Sequence, residues 1–195
     1  MGKRGKNEQE LSDLELIGRC SEGKVRAQEA LYKRYFSFAM SVAIRYTCDE
    51  GEAMEIVNDS FMKVLEKTGE FDSTRPFRSW YGRIIINSAI DNYRRNAKHE
   101  SHLQLCEIEA TEEQEPEIDA NLSAGDILSL FIQLPEQLRV TFNLFEIEGY
   151  SHNEIGQILG ITASSSRSNL TRAKKILREL YIKNFKTTKV NNEAV

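Results

Sequence analysis

Residues 134–180 read LPEQLRVTFNLFEIEGYSHNEIGQILGITASSSRSNLTRAKKILREL. Two short helical patterns meet there at Gly160-Ile161-Thr162, and the second is positively charged throughout. No acidic side chain falls between Glu154 and Glu179, whereas Arg167, Arg172, Lys174, Lys175 and Arg178 all do. A helix this basic, directly after a helix-turn signal in an acidic protein, is suited to nucleic acid.

With Arg167 at the origin of a helical wheel, Ser166, Leu170, Ala173 and Leu177 share one arc. Arg167, Ser168, Thr171, Arg172 and Lys175 fill the opposite one. The first arc would pack on the preceding helix and leave the second free to enter a major groove. Ser164 and Ser165 stand in the first turn, where free N–H groups and small hydroxyls suit phosphate. An arginine on a guanine edge is worth ~1–3 kcal/mol of discrimination, and each cation on a phosphate adds ~0.9 to the salt slope. The plain alternative is a solvated basic face, against which the missing acids count. His152 is expected at the surface.

A second basic segment, TRPFRSWYGRIIINSAIDNYRRNAK, sets Arg75, Arg78, Arg83, Arg94, Arg95 and Lys98 against Asp91 alone. Phe77, Trp80, Tyr81 and Tyr93 are interleaved with them. Cations beside aromatic faces suit a single strand with unstacked bases, at ~1–3 kcal/mol per stacked base. At least one of Trp80 and Tyr81 is expected to be core instead. Upstream, Asp49, Glu50, Glu52, Glu55 and Asp59 crowd the start of another helix, a face for a basic protein surface.

Charge divides the chain further. Residues 1–99 sum to +2, 100–123 to −8 and 124–195 to +2. Pro116, high acidity and no aromatics mark 100–123 as a flexible connector. The expected plan is a disordered stretch 1–10, a domain 11–99, the acidic linker 100–123, a helix-turn-helix domain 124–184 and a disordered tail 185–195. Helical periodicity dominates, so the fold class is all-α, with two small domains. Expected helices open at the capping box Ser12-x-x-Glu15, then run Val25–Tyr46, Glu52–Lys67 and Phe77–Lys98. After the linker they run Ile127–Phe131, from Pro135 to Gly149, from the capping box Ser151-x-x-Glu154 to Gly160, and Ala163–Asn184.

Hydrophobic residues make up 40% and charged residues 29%, enough apolar material for real cores in a soluble protein. Cys20, Cys48 and Cys106 are scattered and never paired as CxxC, which excludes a zinc ribbon and points to a reducing cytoplasm. The basic N-terminus has no apolar run behind it, unlike a signal peptide, and Ile84-Ile85-Ile86 is far too short to cross a bilayer. No Ser/His/Asp set, paired carboxylates or Gly-rich phosphate loop is present. Neither catalysis, a cofactor nor a small-molecule substrate is therefore expected.

Together the segments resemble a bacterial RNA polymerase sigma factor of the extracytoplasmic-function class, over about residues 11–98 and 125–182. Glu55-Ile56-Val57-Asn58-Asp59-Ser60-Phe61 is similar to the region-two helix of that family. The resemblance implies that Glu55, Asn58, Asp59 and Phe61 bind core polymerase at its β′ clamp. Phe77-Arg78-Ser79-Trp80, with Arg83-Ile84, Asn87, Ala89-Ile90-Asp91 and Arg94-Arg95, resembles the promoter-melting signature. It implies that Arg78, Asn87, Arg94 and Arg95 act on the −10 element, with Asn87 and the Phe71–Pro76 loop handling a flipped base. Leu134-Pro135-Glu136, Phe145-Glu146, Glu148-Gly149-Tyr150-Ser151, Glu154-Ile155 and Leu159-Gly160-Ile161 resemble region four, which also meets the β flap. Arg167, Ser168, Thr171, Arg172 and Lys174 would then read the −35 element. The family carries Gln at the place of Asn58, an acid at Met54, a base at Asn169 and an aliphatic residue at Ser166. The change at Asn169 should weaken phosphate grip, and that at Ser166 should soften helix packing. An anti-sigma factor is implied by the family alone.

Two rivals remain open. A ligand-sensing regulator would share the helix-turn-helix, but has no use for FRSW…N…DNYRR. A metalloenzyme would draw on His99, His102 and Cys106, whose spacing is helical but confined to one segment.

Overall fold

The computed structural model describes residues 8–47, 49–99 and 123–186, and all regular structure among them is helical. The chain divides into two compact units, Met1–Asn92 and Tyr93–Val195, the division falling near the end of a long helix.

In the first unit, α1 (Asp13–Ser21) opens on the Ser12/Glu15 capping box, with Ser12 N donating to Glu15 Oε2 at 2.8 Å. α2 (Val25–Ala43) stops three residues short of the expected Tyr46, because residues 44–46 form a turn. α3 (Glu50–Glu66) begins earlier than expected: Asp49 is its N-cap and accepts from Glu52 N at 3.0 Å. The run from Asp49 to Gly51 therefore starts the helix rather than breaking the chain. A 3-10 turn, Glu8–Glu10, extends order ahead of residue 11, and Glu8 pairs with Arg19 at 2.7 Å.

An aromatic cluster joins α2, α3 and α4 (Phe77–His99). Tyr35 meets Phe77 edge-on at 4.8 Å, Tyr32 meets Phe61 at 5.0 Å, and Tyr81 lies between Phe61 and Phe77 at 6.4 and 5.8 Å. Edge-to-face pairs place positive ring edges on negative faces, adding ~0.5–1.5 kcal/mol each beyond apolar burial. Tyr81 is buried, as expected of one of the pair, while Trp80 is half-buried against Phe71 and Phe77. Tyr35 donates its hydroxyl to Asp13, which also receives Arg34 at 2.8 Å, so the start of α1 is tied to α2.

The second unit is built on its last helix. α5 (Ala124–Phe131) opens at a Ser123/Asp126 capping box, three residues before the expected start. α6 (Glu136–Phe142) passes without a break into a π turn, Asn143–Ile147. α7 (His152–Leu159) follows the Ser151/Glu154 box, and α8 (Ala163–Tyr181) continues into a π turn through Lys186. Leu134, Leu138 and Ala173 form the core, with Phe131, Phe142, Ile176 and Leu177 packed on it. Arg139 is buried inside this unit and donates from Nη1 to the Leu134 carbonyl at 3.2 Å. Gly160 ends α7 in the left-handed conformation, φ 70°.

Gly160→Ala should cost about 1–2 kcal/mol, the strain of a Cβ in that conformation, read by urea unfolding. No loss would mean the corner relaxes. Burial pushes the Tyr81 phenol up to about 12. The folded chain thus holds a proton that the unfolded chain releases near pH ~10. The associated stability is whole below that pH and is lost as pH rises through about 12. Alkaline titration of phenolate absorbance should show one late-ionising phenol fewer in Tyr81→Phe; an unchanged curve would contradict the assignment.

Candidate nucleic-acid interface

Thr162 caps α8, its Oγ1 accepting from Ser165 N at 3.0 Å. Ser165 is thereby committed to the cap, while Ser164 remains exposed beside it. Arg167, Ser168 and Thr171 face outward on the next turns, and Arg172 is half-buried at their edge. Ser166, Asn169, Leu170 and Ala173 are buried on the other side. The outward arc can present a guanidinium and two hydroxyls to base edges or phosphates. Lys174 is exposed too, but its ammonium pairs with Glu146 of the π turn at 2.7 Å. Such exposed pairs contribute ~0–1 kcal/mol, so the side chain is drawn aside rather than locked.

One expectation about this helix needs correction. Asn169 is buried, and its Nδ2 has no hydrogen-bond partner among the described residues. Its amide faces the interior, so the missing base there removes no outward phosphate contact. At ~100° per residue, position 169 lies about 200° from Arg167, inside the buried arc. The angle was readable, but the polar side chain disguised it. Ser166, expected to soften the packing, is fully buried and lies 3.0 Å from His152 Nδ1. His152 is half-buried rather than on the surface, and stacks on Phe145 at 4.3 Å with 16° between the rings.

In the first unit, the basic face of α4 begins at a structured loop. Asp72 accepts from Thr74 N at 3.0 Å and from Thr74 Oγ1 at 2.6 Å, and Arg75 Nε lies 3.4 Å from its carboxylate. The Thr74 hydrogen bonds hold the Asp72 carboxyl below its usual range, with Arg75 adding to the effect. Phe71 turns inward onto Trp80 at 5.2 Å, so the loop presents its polar residues outward. Arg78 is exposed and its guanidinium sits 4.3 Å from the Phe38 ring centre. Arg83, Asn87, Arg94 and Arg95 are exposed along the same helix. The side chains of Lys98 and His99, and the whole of His102 and Cys106, lie outside the described residues, as does most of the linker 100–123. Among the described residues no group of three or more His, Cys, Asp or Glu could hold a metal ion.

α3 carries the acidic face. Asp49, Glu50 and Glu52 sit at its N-terminus, where unpaired N–H groups and the helix dipole favour negative charge. That local role explains part of the acidity without a partner. Glu55, Asn58, Asp59 and Met62 are exposed further along, and Tyr32 donates to Asn58 Oδ1 at 2.8 Å. Phe61 does not join them. It is 7% exposed and packed between Tyr32 and Tyr81, so it positions α3 rather than meeting a partner.

Both halves of this architecture match one family. Residues 31–99 match sigma-70 region 2, and residues 124–177 match sigma-70 region 4. The chain belongs to the sigma-70 family, in its extracytoplasmic-function class. This sigma factor is 27% identical over 183 residues to the extracytoplasmic-function RNA polymerase sigma-E factor of Salmonella typhimurium, covering 87% of this chain and 94% of that one. It is 26% identical over 181 residues to the RNA polymerase sigma-H factor of Pseudomonas aeruginosa, covering 85% and 91%. Among solved structures it is similar to the sigma factor RpoE of Bartonella quintana, in complex with the anti-sigma factor NepR. That match has 20% identity and a TM-score of 0.46, over 80% of this chain and 97% of that one. As a sigma factor, the protein works in transcription initiation. Among the described residues no helix is long and apolar enough to cross a membrane.

Phe61→Ala should destabilise the first unit by about 3–5 kcal/mol, since it opens a cavity in the aromatic cluster. Glu55→Ala should stay within ~0.5 kcal/mol of the parent. Urea unfolding of the two variants separates the positioning residue from the surface one; equal stability would contradict the burial.

Proposed function

We propose that this sigma factor is a dissociable, non-catalytic specificity subunit of cytoplasmic RNA polymerase, with separate surfaces for polymerase, parted strands and paired strands. Glu55, Asn58 and Asp59 on α3 meet the β′ clamp, where an acidic face complements a basic one. The Asp72–Arg75 loop with Arg78, Asn87, Arg94 and Arg95 acts on the −10 element, a flipped base leaving the stack there. Arg167, Ser168, Thr171 and Arg172 read the −35 element from the major groove, near the β flap. Lys174 adds a phosphate contact only on leaving Glu146. The acidic linker follows a basic polymerase channel as a nucleic-acid mimic, and an anti-sigma factor covers the binding faces when initiation is held back.

The observation that carries this reading is the outward arc of α8. It exposes Arg167, Ser168 and Thr171 while the opposite side of the helix is buried. The arc is acid-free, so a duplex meets no repulsion along it.

Run-off transcription with purified core polymerase tests it. A promoter-specific transcript is expected only when the sigma factor is added, and failure to associate with core polymerase would refute the reading. Asn87→Ala should lower permanganate reactivity of the melted strand about tenfold, as for one base contact of ~1–3 kcal/mol. Duplex binding should be nearly unchanged. Parent-like permanganate reactivity would remove Asn87 from the melting surface.

A further inference from the structure

Ser166 lies on the inner side of α8, immediately before the outward-facing Arg167 and Ser168, and is fully buried. Its hydroxyl sits 3.0 Å from Nδ1 of His152, the first residue of α7. Either hydroxyl or ring nitrogen can supply the proton, according to tautomer. The imidazole is held from two further directions. Its ring lies flat on Phe145, which the π turn Asn143–Ile147 presents. Its backbone follows the cap residue Ser151, whose own N–H donates to Glu154 Oε2 and whose hydroxyl accepts from Glu154 N. His152 is therefore not needed as a cap, and its ring is free to serve α8.

We infer that His152 is a positioning residue for the recognition helix: through Ser166 it fixes the rotation of α8, and so decides how Arg167, Ser168 and Thr171 meet base edges. The inference rests on α8 reading the −35 element, the distal one of the two. Apolar packing alone tolerates small rotations, whereas a hydrogen bond weakens steeply with distance and angle. With side-chain tips roughly 6 Å from the helix axis, a 10° rotation moves them about 1 Å. That shift is enough to break a bidentate contact. Truncating His152 leaves the buried Ser166 hydroxyl without this partner, and truncating Ser166 removes the tether from the half-buried ring; either change lets the helix turn. Phe145 belongs to the same device, because it prevents the imidazole from swinging away.

The test uses holoenzyme reconstituted from the full chain and core polymerase, transcribing a promoter library randomised in the distal element. His152→Ala, Ser166→Ala, the double variant and His152→Asn are compared with the parent, and thermal unfolding of each is recorded. Asn places a polar atom close to where Nδ1 stands. Expected are a change of about five- to tenfold in preference among distal bases for each alanine variant, no further change in the double variant, and recovery in His152→Asn. Preference ratios do not depend on the fraction folded, so a merely structural role would lower all promoters equally. Equal loss across the library, or additive effects in the double variant, overturns the inference. If the parent itself shows no distal preference, the reading of α8 falls, and the inference with it.

Discussion

At the corner between α7 and α8 the backbone passes so close over Gly156 that a Cβ there would lie 2.8 Å from the Ile161 carbonyl oxygen. Gly160 makes the reversal in the left-handed conformation, and Thr162 at once begins the next helix as its cap. Within five residues the chain ends one helix, turns and starts another, with hydrogen-bonding groups satisfied by Gly156 O and Thr162 Oγ1. The angle at which α8 leaves this corner determines which of its residues are buried. Everything that the second unit shows to a duplex follows from that geometry.

The first unit solves a different problem. It must expose a row of cations on α4 while keeping that helix anchored, and it does so by burying aromatics on the same stretch of sequence. Phe77 and Tyr81 are buried and hold the helix, whereas Arg78, Arg83 and Asn87 alternate with them on the outside. Basic residues there avoid the desolvation cost that a buried charge would meet. The acids of α3 are divided in the same way. Those at its start stabilise the helix, and those further along are exposed.

Local chemistry was the most legible part. The boxes Ser12/Glu15 and Ser151/Glu154, the stop at Gly160 and the opposite arcs of α8 all follow from neighbours in sequence. The Ser123/Asp126 box escaped notice because its acid is Asp and the stretch before it is uniformly acidic. The expected start of α3 at Glu52 falls two residues late because Asp49-Glu50-Gly51 has the composition of a turn, although its first acid is a cap. Phe61 was assigned outward from resemblance to a motif, whereas its burial depends on Tyr32 and Tyr81, which are distant in sequence. His152 and Asn169 show the same limit. Polar residues were read as outward, and only packing against Phe145, Ser166 or the unit interior decides otherwise.

The π turn at Asn143–Ile147 closes α6 with a widened last turn, before the chain leaves the helix at Gly149. It orients Phe145 toward the imidazole and Glu146 toward Lys174, from adjacent positions of the same wide turn. Deleting one residue ahead of them would turn both side chains by about 100° about the axis of α6, and the ring contact and the ion pair would be lost together.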